Sequence, residues 1–334
     1  MKVGTRPRLP PEFALIARYF APLAAGRPGA LGLRDDAALI DIAAGRQLVV
    51  TADALVGGVH FLDADPPDLI ARKMLRVNLS DLAAMGARPF GYVMTVALPA
   101  AIDEPWLASF VAGLAADQAE FDVGLLGGDT AATPGPLTLS VTAFGDVARG
   151  AALLRRGARA GDLVLVSGTL GDAALGLRSL RGQLAELPSA HREFLVDRYR
   201  LPRPRVALGV ALAAQALATA AIDVSDGLVA DLGHICESSG LGAVVEAARL
   251  PLSAAATAAC AAQPELLQAV LGGGDDYELL FAAPPDAAAA LAALAGRLGL
   301  PLTVIGRMTE GTGVRVEDTA GHEVRVASAG YRHF

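Results

Sequence analysis

Short apolar runs that stop at an aspartate recur in both halves of this chain, and they constrain its fold more than any other feature. Gln47–Asp53 (QLVVTAD) and Gly124–Asp129 (GLLGGD) read as buried strands that deliver a carboxylate at their ends. Ile222–Asp226 (IDVSD) reads as a short strand or turn feeding a helix that reaches about Ser238. Helical patterns lie between these runs. Asp65-Pro-Pro-Asp68 opens a helix with Asp65 as N-cap and prolines in the first turn. Leu69, Met74, Leu75, Leu79 and Leu82 give that helix its apolar face, and Gly86 suits its stop. Asn78 and Asp81, three residues apart, share one face of it. Pro89–Leu98 predicts a strand, Asp103-Glu-Pro a helix to about Ala119, and Leu137–Gly145 a further strand.

The stretch Ala148–Asp162 changes character, with arginines and glycines interleaved, and marks a domain boundary. Beyond it Leu163–Ser167 predicts a strand, Gly168–Gly171 a turn into a helix, and Ala207–Ala220 a helix. Gly272–Glu278 is a glycine-acid loop before the strand Leu279–Ala283, Asp286 caps an alanine-rich helix, and Val314–Val316 with Glu323–Val326 predicts a hairpin. Strands alternate with helices in both halves, so the fold class is α/β (α+β) with two domains of similar size. A length of 334 residues agrees with two domains.

Composition narrows the function classes. Hydrophobic residues at 53% and charged residues at 19% provide for packed cores and argue against disorder. A net charge of −7 argues against general binding to nucleic acid or to an anionic membrane. The longest charge-free stretch, Val206–Ile222, is rich in alanine, contains Gln215 and Thr219, and reads as a buried helix rather than a membrane span. Arg18 cuts the early apolar run Phe13–Ala17, so no signal peptide is expected. The two cysteines, Cys236 and Cys260, form no C-x-x-C pair, and a reduced, cytoplasmic protein is expected. Lys2 and Lys73 are the only lysines, which excludes a P-loop and the strand lysine of protein kinases.

The acidic set comprises Asp35, Asp36, Asp53, Asp81, Asp129, Asp223, Asp226, Asp275 and Asp276. Any one of them alone is an ordinary turn or cap residue. Gathered at a common sheet edge they would repel one another, and hard divalent cations are the usual compensation. Mg²⁺ takes oxygen from a few carboxylates plus phosphates, so the set points to Mg²⁺–nucleotide chemistry.

Further segments of the first half stand out: Glu12–Phe20 (EFALIARYF), Asp35–Leu39 (DDAAL), Thr51–Asp53 leading to Gly58–Phe61 (GVHF), Asn78–Gly86 (NLSDLAAMG) and Gly127–Thr130 (GGDT). In the second half they are Ile222–Gly227 (IDVSDG), Gly273–Glu278 (GGDDYE) and the terminal Gly330-Tyr331. Together these segments resemble the thiamine-monophosphate kinase family of the AIR synthetase-like (PurM-like) superfamily. The resemblance runs nearly end to end, and NLSDLAAMG is its most specific piece. It implies an N-terminal domain over residues 1–148 that binds ATP and Mg²⁺ and pairs with its copy in a homodimer, and a C-terminal domain over 149–334. It implies transfer of phosphate from ATP to thiamine phosphate, the last step of thiamine diphosphate biosynthesis, by direct in-line displacement. By the same resemblance Asp36, Thr51, Ala52, Asp53, Asp81, Asp129, Asp223 and Asp226 hold several Mg²⁺ ions. Gly128, Asp129, Arg155 and Ser225 touch ATP, and His60, Asp275 and Tyr331 face thiamine phosphate. No general base is implied, because the acceptor is already a phosphate oxygen.

The chain departs from the family pattern in places. Arg34 stands where the family usually has glycine, Asp275 where it has glutamate, and Ala52 where threonine is common. Other readings carry less. His234 and Cys236 have no second ligand pair for zinc. Gly168-Thr-Leu-Gly171 joins strand to helix like a phosphate-cradling loop but lacks the full pattern, and a tight turn accounts for it. Arg155 and Arg156 read by default as solvated surface. Tyr331 and Phe334 are either a frayed tail or a stacking surface for a cationic ring. Among superfamily alternatives, selenophosphate synthetase needs an N-terminal cysteine and the hydrogenase-maturation dehydratase a terminal one, and neither is present. Aminoimidazole ribonucleotide synthesis is separated only by motif, and a non-catalytic nucleotide binder only by the intact carboxylate set.

Overall fold

Parallel and antiparallel strands mix in both sheets of this chain, so each unit needs helices to carry its crossovers. The computed structural model describes residues 9–327 together with Gly330 and Tyr331; Lys2 and Phe334 lie outside the described residues. The chain divides into two compact units. The first runs through Leu82 and resumes at Arg88–Val147; the second takes Ala83–Ala87 and everything from Ala148 onward.

In the first unit a one-turn helix, α1 (Glu12–Leu15), precedes β1 (Arg46–Val56), α2 (Pro67–Ala84), β2 (Arg88–Pro99), α3 (Glu104–Phe121), β3 (Gly124–Thr133) and β4 (Thr138–Ala148). The sheet order is β1-β4-β2-β3. β2 pairs parallel with β3 and antiparallel with β4. α3 begins where Asp103 accepts a hydrogen bond from the Trp106 amide at 2.9 Å. It ends on Asp122 in the left-handed conformation, and it buries Leu107, Phe110 and Leu114. Gly113 lets α3 approach the start of α2, since a Cβ there would sit 2.2 Å from the Asp68 carbonyl oxygen. The two helices are also tied by charge. The buried carboxylate of Asp117 accepts from Arg72 Nε at 2.7 Å and from Arg76 Nε and Nη2 at 2.8 and 2.9 Å.

The second unit contains β5 (Leu163–Ser167), α4 (Asp172–Leu180), α5 (Ser189–Arg200), α6 (Val206–Ala214), β6 (Ala220–Asp223), α7 (Leu228–Ser239), β7 (Gly242–Glu246), α8 (Ala254–Ala262), α9 (Leu267–Gly272), β8 (Leu279–Ala283), α10 (Ala288–Leu298), β9 (Leu302–Thr309) and β10 (Gly313–Glu317). Its sheet order is β10-β7-β9-β5-β8-β6. β10 pairs parallel with β7, and the remaining described neighbours are antiparallel. The core closes on Val164, Val166, Ile222, Leu228, Leu280 and Ile305.

Three sequence expectations change here. The helix expected over Ala207–Ala220 stops at Ala214, the chain turns at Ala216 (φ 51°), and Ala220 already belongs to β6. Alanine favours helix locally, but Ala220–Asp223 gains a full antiparallel register against β8, and tertiary pairing overrides propensity. Asp286 lies inside a 3₁₀ turn, Pro285–Ala287, rather than capping α10. The expected hairpin shrinks to a single bridge between Glu317 and Glu323 on the outer edge of β10, whose inner edge pairs in parallel with β7.

Asp117→Ala would leave the Arg76 guanidinium buried without its main carboxylate partner. Breaking a buried pair from one side costs about 3–5 kcal/mol. The expected outcome is a lower melting temperature, and an unchanged one would show that Glu120, whose Oε2 accepts from Arg76 Nη2 at 2.5 Å, holds Arg76 alone.

Candidate functional site

Thr51 and Asp53 project from the same face of β1, since side chains alternate along a strand. Ala52 points to the other face and is exposed. The Thr51 hydroxyl donates to Asp81 Oδ2 from α2 at 2.5 Å. Asp53 is close enough to Asp81 to feel its charge: burial first, and that negative neighbour second, push the Asp53 carboxyl up to about 6. In the turn after β1, His60 Nδ1 accepts from the Val56 amide at 3.0 Å, which puts the ring proton on Nε2. Neither Asp53 nor Asp129 ends its strand, as the apolar runs had suggested. β1 continues to Val56, and β3 continues to Thr133 because its ladder with β2 extends to the pair Pro99/Thr133. The carboxylates leave the sheet from its face rather than its edge.

A cavity of about 380 Å³ opens beside β3. Asp35, Asp36, Gly128 and Asp129 supply its polar wall, and Ile16, Phe20 and Leu33 its apolar one. A Cβ on Gly128 would lie 1.9 Å from the Met94 carbonyl oxygen on β2, so the position is held to glycine by strand packing. That leaves open backbone next to Asp129, as an approaching phosphate requires.

In the second unit Asp223 ends β6, buried, and Val224–Gly227 forms a turn into α7. The glycine-acid loop lies along this turn. The Tyr277 amide donates to the Val224 carbonyl at 2.8 Å, the Asp275 amide to the Ser225 carbonyl at 2.9 Å, and the Tyr331 amide to the Asp226 carbonyl at 3.0 Å. Asp223, Ser225, Asp226, Asp275 and Tyr331 are thereby brought together. Gly274 and Gly330 permit this approach: a Cβ on the first would meet the Ser225 oxygen at 2.1 Å, and on the second the Ala230 Cβ at 2.5 Å. Asp275 and Tyr277 both have positive φ, 72° and 51°. Arg155 is exposed on a segment that flanks β6, where the Ala221 amide donates to the Leu154 carbonyl at 2.9 Å.

Two acids in this unit, Asp231 and Glu278, were not candidates in the sequence, and Asp276 was one only as a member of the acidic set. Asp231 Oδ2 accepts from the amides of Ser225, Asp226 and Gly227 at 3.1, 3.1 and 3.0 Å. Asp276, next to Asp275, turns inward and accepts from the Gly171 and Ala173 amides at the start of α4, at 2.6 and 3.2 Å. Buried Glu278 accepts from Ser167 Oγ at 2.6 Å, Arg198 Nη2 at 2.9 Å and Arg205 Nε at 2.6 Å. Burial raises Asp231 to about 7 and Asp276 to about 8, outweighing the amides that favour their ionised forms. The only sequence signal for Asp231 was its place in the first turn of a helix whose N-cap is glycine. Residue type and spacing do not separate Asp275 from Asp276; the family resemblance alone picks out Asp275.

Among the described residues, no three His, Cys, Asp or Glu side chains form a group that could hold a metal ion by themselves. The Asp53–Asp81 pair still fits a hard cation, because Mg²⁺ keeps several waters and is commonly bound through one or two carboxylates with phosphates.

The AIR synthase related protein families match this chain at residues 34–147 for the N-terminal domain and 159–319 for the C-terminal domain. The chain belongs to the AIR synthase related proteins. It is 45% identical over 327 residues to the thiamine-monophosphate kinase of Caulobacter vibrioides, covering 97% of this chain and 91% of that one. The crystal structure of thiamine-monophosphate kinase from Stenotrophomonas maltophilia superposes with a TM-score of 0.84 at 47% identity, covering 94% of this chain and 98% of that one. A ThiL structure complexed with AMPPCP and TMP superposes at 0.77 with 31% identity, over 97% of each chain. Within the superfamily, the chain is a member of the thiamine-monophosphate kinase family.

A carboxyl raised from 3.8 to about 6 favours the protonated folded state. Its contribution to stability is full below about pH 4 and is lost as pH rises through about 6. In chelator, Asp53→Asn should therefore flatten the fall of melting temperature across that window. Parallel curves for the two proteins would show that burial and the neighbouring Asp81 do not raise the Asp53 carboxyl in solution.

Proposed function

We propose that this chain phosphorylates thiamine phosphate with ATP by direct in-line transfer assisted by Mg²⁺. The observation that carries the reading is 45% identity, over almost the whole chain, to a thiamine-monophosphate kinase. The ThiL complex with AMPPCP and TMP supports the same pair of ligands for this chain.

The chemistry joins two anions, so its difficulty is repulsion rather than proton transfer. The acceptor oxygen belongs to a phosphate that is ionised near neutral pH and needs no general base. Mg²⁺, when bound, neutralises charge on the triphosphate and the acceptor and favours a fixed line of attack. Asp36, Thr51, Ala52 (by its carbonyl), Asp53, Asp81, Asp129, Asp223 and Asp226 are the residues we assign to hold the ions. The raised Asp53 carboxyl supports this, since a cation would offset the burial and the Asp81 repulsion that raise it. Gly128, Asp129, Arg155 and Ser225 are assigned to ATP. The bare Gly128 backbone beside the cavity supports that role. His60, Asp275 and Tyr331 are assigned to thiamine phosphate. His60 can offer Nε2–H to a phosphate, and exposed Tyr331 can offer its ring to the cationic thiazolium.

A homodimer paired through the first unit is part of the reading. Leu48 and Val50 support it, two apolar side chains exposed on one face of β1. A cytoplasmic location is proposed too; no described helix is long and apolar enough to cross a membrane.

Incubation with ATP, Mg²⁺ and thiamine phosphate should yield thiamine diphosphate, and failure to form it would sink the reading. Asp81→Asn keeps shape and removes charge, and turnover should drop by orders of magnitude in a folded protein. Loss of the Tyr331 ring should raise the KM for thiamine phosphate by about two- to thirtyfold, the range of a cation–π contact. The KM for ATP should barely move in Tyr331→Ala; the reverse pattern would assign this tail to the wrong ligand.

A further inference from the structure

The turn Ser225–Gly227 has to present Asp226 and Ser225 outward while its own amides face the protein. Gly227 is the N-cap of α7, and the amides of Ser225, Asp226 and Gly227 lie at and before that cap, outside the helix's own hydrogen bonds. Asp231, one turn into the same helix and 1% exposed, reaches back and collects all three. An acid in the first turn of a helix is also favoured by the positive end of the helix dipole.

The consequence extends past the turn. With its amides fixed inward, the turn sends the Val224, Ser225 and Asp226 carbonyls to the other side. There they receive the Tyr277, Asp275 and Tyr331 amides. The elements assigned to ATP and metal and those assigned to thiamine phosphate therefore share one backbone frame, and a single carboxylate holds its centre. Hydrogen bonds from three successive amides to one carboxylate oxygen leave that frame little freedom to shift. Gly227 adds to this constraint, since a Cβ there would meet the Gly272 carbonyl carbon at 2.8 Å.

We propose that Asp231 is a positioning residue that sets both substrate subsites at once by holding the Ser225–Gly227 turn. The proposal rests on the assignment of Ser225, Asp226, Asp275 and Tyr331 to ligands made above. It distinguishes Asp231 from a residue that merely stabilises α7, because the two KM values should then move together.

The test compares Asp231→Asn and Asp231→Ala with Leu232→Ala. Leu232→Ala cuts the core from the neighbouring position of the same helix. Hydrogen–deuterium exchange of the peptide over residues 222–230 reads the turn without reference to activity. In both Asp231 variants, exchange over that peptide should accelerate. The KM values for thiamine phosphate and for Mg²⁺–ATP should each rise about tenfold, the scale of one charge-assisted hydrogen bond. Leu232→Ala should lower the melting temperature and leave both KM values near wild type. If Asp231→Ala fails to fold, Asp231→Asn carries the test. Unchanged exchange, or faster exchange with both KM values within about twofold of wild type, overturns the proposal. If Asp226→Asn and Tyr331→Ala are silent as well, the ligand assignment itself fails, and the exchange arm still decides whether Asp231 holds the turn.

Discussion

Acids gathered close together cannot hold one another in place; something of opposite character has to hold them. In the second unit that partner is mostly backbone and arginine. Asp231 takes three amides, Asp276 takes two at the start of α4, and Glu278 takes Ser167, Arg198 and Arg205. These acids are buried and face inward, so they serve as the frame on which Asp226 and Asp275 are mounted. The first unit works differently. Thr51 gives Asp81 one hydroxyl, and Asp53 stands against Asp81 with its carboxyl held up by burial and repulsion. One unit thus neutralises its acids internally, and the other keeps a pair whose repulsion a cation would relieve.

Local order along the chain carried much of this. Leu163–Ser167 and Leu279–Ala283 are strands with the bounds their apolar runs suggest, and Asp103 caps its helix as expected. Asp53 and Asp129 were legible as candidates, but their placement at strand ends was not correct. Apolar runs show which residues are buried, and they do not show how far a ladder continues once polar residues can lie on an open face. Ala220 illustrates the opposite limit: its composition favours helix, and a strand partner some sixty residues away decides otherwise.

The acidic loops show what one sequence cannot separate. Asp275 and Asp276 are adjacent and chemically identical, yet one faces the turn of Ser225 and the other plugs the start of α4. Resemblance to a family chose Asp275 and left Asp276 and Glu278 without a role, because both act through groups more than seventy residues distant. Asp231 was missed for a related reason. Its signature is an acid in a helix's first turn, which is too common to single out unless the three amides it gathers are seen.

The backbone at Asp275 also limits how this loop can drift over evolutionary time. With φ at 72°, the position lies where side chains bearing a Cβ are disfavoured, and among them aspartate and asparagine are the best tolerated. Glycine would fit without strain but carries no charge, and asparagine keeps the shape but not the charge. A longer acid regains reach at some cost in conformational strain. The main chain thus favours glycine, asparagine and aspartate at this position, and only a need for negative charge singles out the acid among them.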